Sequence, residues 1–127
     1  ELWLNFRFST EQTAEQLSVA VEDCLARHGV DAQLHWTLSG EPFLTAEGAL
    51  VDACRRAIEA VTGTTTMLST AGGTSDGRFI APYGVEVVEL GPVNASIHRV
   101  NEHVRSADLE RLAKIYQGIL RELLAAA

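Results

Sequence analysis

Alternation of apolar and polar residues opens the chain. Leu2, Leu4, Phe6 and Phe8 recur at every second position, with Trp3, Asn5 and Arg7 between them. This predicts a strand over 2–8 with one apolar face. The period then lengthens. Leu17, Val21, Cys24 and Leu25 fall at i, i+4, i+7 and i+8, the stripe of an amphipathic helix. Ser9 or Thr10 marks its start, with Glu11 and Thr13 in a first turn that suits the helix dipole, and Gly29 marks its end. Alternation returns over 30–38, where Ala32, Leu34, Trp36 and Leu38 oppose Gln33, His35 and Thr37. The first forty residues therefore read β-α-β. Such a unit buries too little to stand without packing against something else.

Ser39-Gly40-Glu41-Pro42-Phe43 breaks the pattern, because glycine and proline are both turn residues. A boundary is placed here, dividing the chain into residues 1–40 and 41–127. A second helix is predicted from about 47 to 61, with Leu50, Val51, Cys54, Ala57, Ile58 and Val61 inward. Thr62 and Gly63 end it. A threonine-rich strand over 64–69 follows. A short helix is expected to begin near Ser75 or Asp76 and to close at Pro82 and Gly84. A further strand covers 85–90. Ser106 is read as the cap of a long last helix, with Asp108 at the third position of a box-like start. Its predicted inner stripe is Leu109, Leu112, Ala113, Tyr116, Ile119, Leu120 and Leu123. The expected fold class is α/β, with helices covering a sheet.

Composition narrows the function classes. The 127 residues are 46% hydrophobic and 21% charged, with a formal net charge of −7. These are globular values, and the acidic balance disfavours nucleic acid, whose phosphates need a cationic face. No apolar run approaches the ~20 residues that span a bilayer, so no membrane partner is expected. No signal peptide is visible. Cys24 and Cys54 fall inside helical patterns and read as reduced, core-type thiols, which points to the cytoplasm. A chain that opens on Glu1, already in a strand pattern, has the look of an excised piece.

The densest polar chemistry lies in two loops that follow predicted strands, where sites collect in α/β sheets. The first carries Gly72, Gly73, Thr74, Ser75, Asp76 and Arg78; the second carries Asn94 and His98. Paired glycines let a backbone approach a ligand and offer amide donors. Thr74, Ser75 and Asn94 add side-chain donors. The set suits an anionic or amide ligand, although a glycine-rich turn entering a helix explains the first loop equally well. Parallel neighbouring strands would bring Thr74, Asn94 and His98 to one sheet edge. A neutral imidazole at His98 is a candidate ligand for a divalent metal, but a metal site needs three or more protein ligands. No local pair such as His-x-x-x-His or Cys-x-x-Cys accompanies it. Asp108, Glu110 and Arg111 read as a solvated helix face. Glu47, Asp52, Arg55, Arg56 and Glu59 read as helix-surface pairs.

Longer stretches add a resemblance. Gly72-Gly73-Thr74-Ser75-Asp76-Gly77-Arg78-Phe79, Val87-Val88-Glu89-Leu90-Gly91-Pro92-Val93-Asn94, and Ile97-His98 through Val100-Asn101-Glu102 resemble the succinyl-diaminopimelate desuccinylase family. So do Asn5-Phe6-Arg7-Phe8-Ser9-Thr10-Glu11 and Trp36-Thr37-Leu38-Ser39-Gly40-Glu41-Pro42-Phe43-Leu44. That family belongs to the zinc aminoacylase and carboxypeptidase-like metallohydrolases, whose catalytic α/β domain is interrupted by a smaller lid domain through which they dimerise. The resemblance implies that residues 1–40 are the β-α-β second half of the lid and 41–127 the C-terminal α/β part of the catalytic domain. It implies His98 as a zinc ligand, and Arg7, Gly73, Thr74 and Asn94 as substrate-binding groups. The implied substrate is a small N-acyl amino acid, N-succinyl-LL-2,6-diaminopimelate. Its hydrolysis to succinate and LL-2,6-diaminopimelate serves lysine and cell-wall precursor biosynthesis. Two zinc ions per site are implied, with cobalt as an alternative, and a homodimer formed through the lid.

The family's His-x-Asp motif, bridging aspartate and Glu-Glu pair have no counterpart in this sequence, and Ala71 stands where its pattern has glycine. No catalytic residue is therefore assigned here, and the chain alone is expected to be inactive. Two other readings remain open at this point: a related deacylase of the acetylornithine deacetylase kind, and a non-enzymatic dimerisation or binding module.

Overall fold

A computed structural model describes residues 1–71, 73, 75–93 and 95–125. Among them are four α-helices: α1 (Ala14–Arg27), α2 (Ala49–Thr62), α3 (Gly77–Ile80) and α4 (Ser106–Ala125), with a 3₁₀ turn at Ala81–Tyr83 running on from α3.

Each helix follows from its local sequence. α1 starts at a capping box, later than Ser9 or Thr10. The Gln16 amide donates to Thr13 Oγ1 at 3.1 Å, and the Thr13 amide donates to Gln16 Oε1 at 2.9 Å. Two orphan amide donors are satisfied reciprocally. α2 ends on Gly63, whose φ of 68° is the left-handed conformation that closes helices at least cost in glycine. Its N-terminus is held from far along the chain: the Leu50 amide donates to Glu86 Oε2 at 3.0 Å. A carboxylate there also meets the positive end of the helix dipole.

The core is the seam between α2 and α4. Ala53, Cys54, Ala57, Ile115 and Ile119 are buried together, with Leu50, Ile58, Val61, Val88, Leu90 and Leu123 packed around them. Gly118 lets the helices approach closely, since a Cβ there would lie 3.2 Å from that of Ala57. The inner face of α2 is the predicted one. That of α4 is turned: Asp108, Ile115 and Ile119 are buried, while Leu109, Tyr116 and Leu120 are exposed. Arg56 of α2 pairs with Glu122 of α4 across the seam, whereas Arg55 pairs locally with Glu47 at 3.7 Å.

No strand occurs among the described residues, so the segments 2–8, 30–38, 64–69 and 85–90 depart from expectation. A strand exists only as one side of a hydrogen-bonded ladder, and alternation in sequence does not supply the other side. Residues 2–8 and 30–38 do meet, through Phe6 and Trp36, with ring centroids 6.1 Å apart. The 85–90 segment is held instead by side chains. Thr45 Oγ1 donates to the Val87 carbonyl and Tyr116 Oη to the Leu90 carbonyl. α1 has no fully buried residue, and its Leu17–Val21–Leu25 stripe is only half-buried by the described residues. Cys24 is exposed and Cys54 buried, both as free thiols. The expectation of two core-type thiols therefore holds for Cys54 only, whose thiol pKa is pushed up by burial.

Candidate functional site

The glycine-rich loop is anchored by Ser75. Its hydroxyl accepts from the Gly77 amide at 3.0 Å, fixing the turn into α3, and donates to Glu89. The end of the first loop is thereby tied to the segment that leads into the second. Gly77 is buried against Val87 and Phe43, with no room for a side chain: a Cβ there would lie 2.9 and 3.0 Å from them. Gly73 is exposed, with open space around it, the condition under which its backbone can meet a ligand. Thr74 and Asn94 lie outside the described residues.

Arg78 reaches over two neighbours. Its guanidinium carbon stands 4.7 Å above the Phe79 ring, a cation–π distance. Its Cδ passes so close to Gly40 that a Cβ there would lie 2.8 Å away. Arg78 Nε is buried without a hydrogen-bond partner among the described residues.

The second loop carries His98 in an unusual backbone. His98 and Asn101 both have positive φ, 59° and 64°, although neither is glycine. The Arg99 amide donates to the Ser96 carbonyl at 3.2 Å, so His98 is the third residue of a four-residue turn. A left-handed residue at that place is what a type II turn demands. His98 is exposed. Beyond the loop, Asp108 is buried at the start of α4 and not solvated as predicted. Arg105 grips it with a fork, Nε at 2.9 Å and Nη2 at 3.0 Å, and Arg111 approaches at 3.4 Å. The Arg105 hydrogen bonds hold the Asp108 carboxyl below the usual carboxylate range.

Arg7 is exposed and makes no ion pair with another described residue. Its guanidinium is therefore available to an external anion. Ser75, expected as a donor, serves the loop's own structure, and the structural parts of Ser96, Glu89 and Asp108 are not assigned by the sequence pattern. Only one signal pointed to them: their position within or beside the two loops.

His98 is exposed, and an exposed imidazole can present a ring nitrogen to a metal ion, which needs three or more protein ligands. Among the described residues no three His, Cys, Asp or Glu side chains gather in a way that would hold one.

Known proteins give this arrangement a context. Residues 7–122 match the model of peptidase family M20/M25/M40. The chain is 63% identical over 124 residues to a succinyl-diaminopimelate desuccinylase of Alkalilimnicola ehrlichii, covering 98% of this chain and 33% of that protein. The desuccinylase of Thioalkalivibrio sulfidiphilus is 61% identical over the same shares, 98% and 33%. That of Acinetobacter baylyi is 63% identical over 95% of this chain and 32% of its own length. The chain spans about a third of these relatives. Both loops, the buried residues of the α2–α4 seam and Arg7 fall inside the matched 7–122 stretch, and the chain belongs to peptidase family M20/M25/M40.

Proposed function

We propose that this chain is the C-terminal portion of a zinc-dependent amidohydrolase that removes succinate from N-succinyl-LL-2,6-diaminopimelate, in lysine and cell-wall precursor biosynthesis. The observation that carries the reading is identity of 61–63% to three desuccinylases over nearly the whole chain. In this reading residues 1–40 belong to a lid and 41–127 to the catalytic α/β domain. The four extended segments pair as strands once the rest of the protein is present. The half-buried α1 stripe and the exposure of Leu2, Leu4, Trp36 and Leu38 support it, because such faces require cover.

His98 is one metal ligand, and zinc or cobalt is the ion. A bound metal supplies an activated water and positive charge for the amide oxygen. Arg7 takes a substrate carboxylate, which a planar guanidinium can bind bidentately. Gly73 contributes its backbone amide, and Thr74 and Asn94 their side-chain donors. The intact protein is a cytoplasmic homodimer joined through the lid.

The test is hydrolysis by the intact protein that contains this sequence. Zinc- or cobalt-dependent release of succinate from N-succinyl-diaminopimelate is expected, and His98→Ala abolishes it. The 127-residue chain alone shows no turnover. A preference for N-acetylornithine in the intact protein would move the assignment to a related deacylase.

A further inference from the structure

The stretch where residues 1–40 meet 41–127 is fastened to the exit of the glycine-rich loop by two contacts that mirror each other. On one side Arg78 lies on Gly40. A Cβ at Gly40 would stand 2.8 Å from Arg78 Cδ, 3.0 Å from Nε and 3.6 Å from Cζ. On the other side Phe43 lies on Gly77, where a Cβ would stand 3.0 Å from Phe43 Cζ. Each segment thus gives one glycine and one large side chain. Neither glycine has a positive φ, so what each supplies is room for the opposing side chain. Pro42 stands between Gly40 and Phe43 with its φ locked at roughly −65°, so one stiff stretch carries both contacts. Gly77 is tied back into the loop, its amide donating to Ser75 Oγ at 3.0 Å. Gly40, Phe43 and Arg78 are half-buried and Gly77 is buried. Arg78 makes no ion pair among the described residues, and its buried Nε has no hydrogen-bond partner among them. What the side chain gives Gly40 is therefore packing and not charge.

We propose that Arg78 is a positioning residue: with Gly40, Phe43 and Gly77 it clasps the junction between residues 1–40 and 41–127 to the glycine-rich loop, and so holds the part bearing Arg7 in register with the part that binds the rest of the substrate. The inference rests on the reading of 1–40 as a lid that brings Arg7 to a substrate carboxylate. A junction seated by close packing has few orientations to lose when substrate bridges the two parts. Loosening it adds that ordering to the cost of binding, so the loss falls on KM.

The experiment is steady-state hydrolysis of N-succinyl-diaminopimelate by the intact protein, with thermal midpoints and amide hydrogen exchange over 39–44 and 75–79 recorded alongside. Arg78→Ala is expected to raise KM about fivefold or more, to leave kcat near native, and to quicken exchange in both segments. Arg78→Met keeps an unbranched stem against Gly40 and drops the guanidinium, so it keeps near-native KM. Gly40→Ala crowds a methyl against Arg78 Cδ and raises KM as Arg78→Ala does. It carries the test by itself if Arg78→Ala does not fold. In the double variant the methyl meets no side chain, so Gly40→Ala adds nothing to Arg78→Ala. Losses that add, native KM in Gly40→Ala, or Arg78→Met as poor as Arg78→Ala overturn the inference while the desuccinylase reading stands. A lowered thermal midpoint with native KM in Arg78→Ala assigns the residue to stability alone and overturns it too. A native protein that does not hydrolyse the substrate overturns the desuccinylase reading and this inference with it.

Discussion

Asp108 carries the charge that organises the start of α4. Its surface is 8% exposed, and it is held by Arg105 from three residues before and by Arg111 from three residues after. The Arg105 hydrogen bonds, then the charges of both arginines, depress its carboxyl pKa against the opposing effect of burial. A carboxyl lowered in the folded state adds stability above its unfolded value, and that stability is lost as pH falls through the folded value. Acidification from about pH 5 downward should therefore lower the thermal midpoint, since unfolded aspartate titrates near ~3.9. Asp108→Asn is expected to be less stable at neutral pH and to lose less on acidification, so the two curves converge in acid. Parallel curves would remove Asp108 from the acid response. Residue type and spacing did not disclose this role. Asp108, Glu110 and Arg111 look like a solvated face, and burial at 108 depends on which way α4 turns. Ser96 was equally silent, since a serine in a polar loop carries no mark of a double contact with the His103 backbone. His98, Gly73 and Arg7 are singled out by the longer motifs that frame them, and their roles belong to the proposed function.

Helices were readable because their hydrogen bonds and caps are local. Gly63 and the short helix after Asp76 lie within a few residues of what they satisfy, whereas the start of α1 is expected too early, because Ser9, Thr10 and Thr13 all offer hydroxyls and Thr13 is the one that closes a box with Gln16. The face of α4 was harder, because two apolar stripes run side by side: Ile115 and Ile119 meet α2, whereas Tyr116 and Leu120 do not. The strands were not recovered because a ladder is a property of two segments. The cap of α2 is another distant partnership. A Cβ at Gly48 would overlap the Glu86 carboxylate, so only glycine leaves that acid room to accept from Leu50. Gly48→Ala should therefore cost stability by displacing Glu86. Glu86→Ala should cost about 0.5–2 kcal/mol, the usual worth of a lost cap. Because both changes remove one contact, the double variant should be no worse than the poorer single one. Thermal midpoints of the three variants decide it, and additive losses would mean that Gly48 and Glu86 act separately.

At the scale of the molecule, the chain exposes more surface than its mass requires. It presents 10450 Å², against roughly 6,600 Å² for a compact monomer of its size. Trp3, Leu4, Trp36 and Leu38 are among the apolar side chains left open. Arg7 lies in this uncovered region, exposed and without an ion pair among the described residues. A surface arginine serving only the fold would be expected to pair with a local acid or to lie along apolar cover, and Arg7 has no such ion pair here. In the proposed enzyme it sits on the lid, and His98 sits on the catalytic part. Its contact with a substrate carboxylate then requires the lid to close over the site. Two consequences separate this role from a structural one. Arg7→Ala in the intact protein should cut kcat/KM by roughly 1.5–3 kcal/mol, the worth of hydrogen bonds to a charged group. Its thermal midpoint should change little, because no packing is removed. Arg7→Lys should recover only part of the loss, since an ammonium cannot match the two oxygens of a carboxylate with a planar fork. Steady-state kinetics with N-succinyl-diaminopimelate, run beside thermal unfolding, provide both readouts. If Arg7→Ala stays within about twofold of the native kcat/KM, Arg7 is a solvent-facing residue and the carboxylate must be held elsewhere.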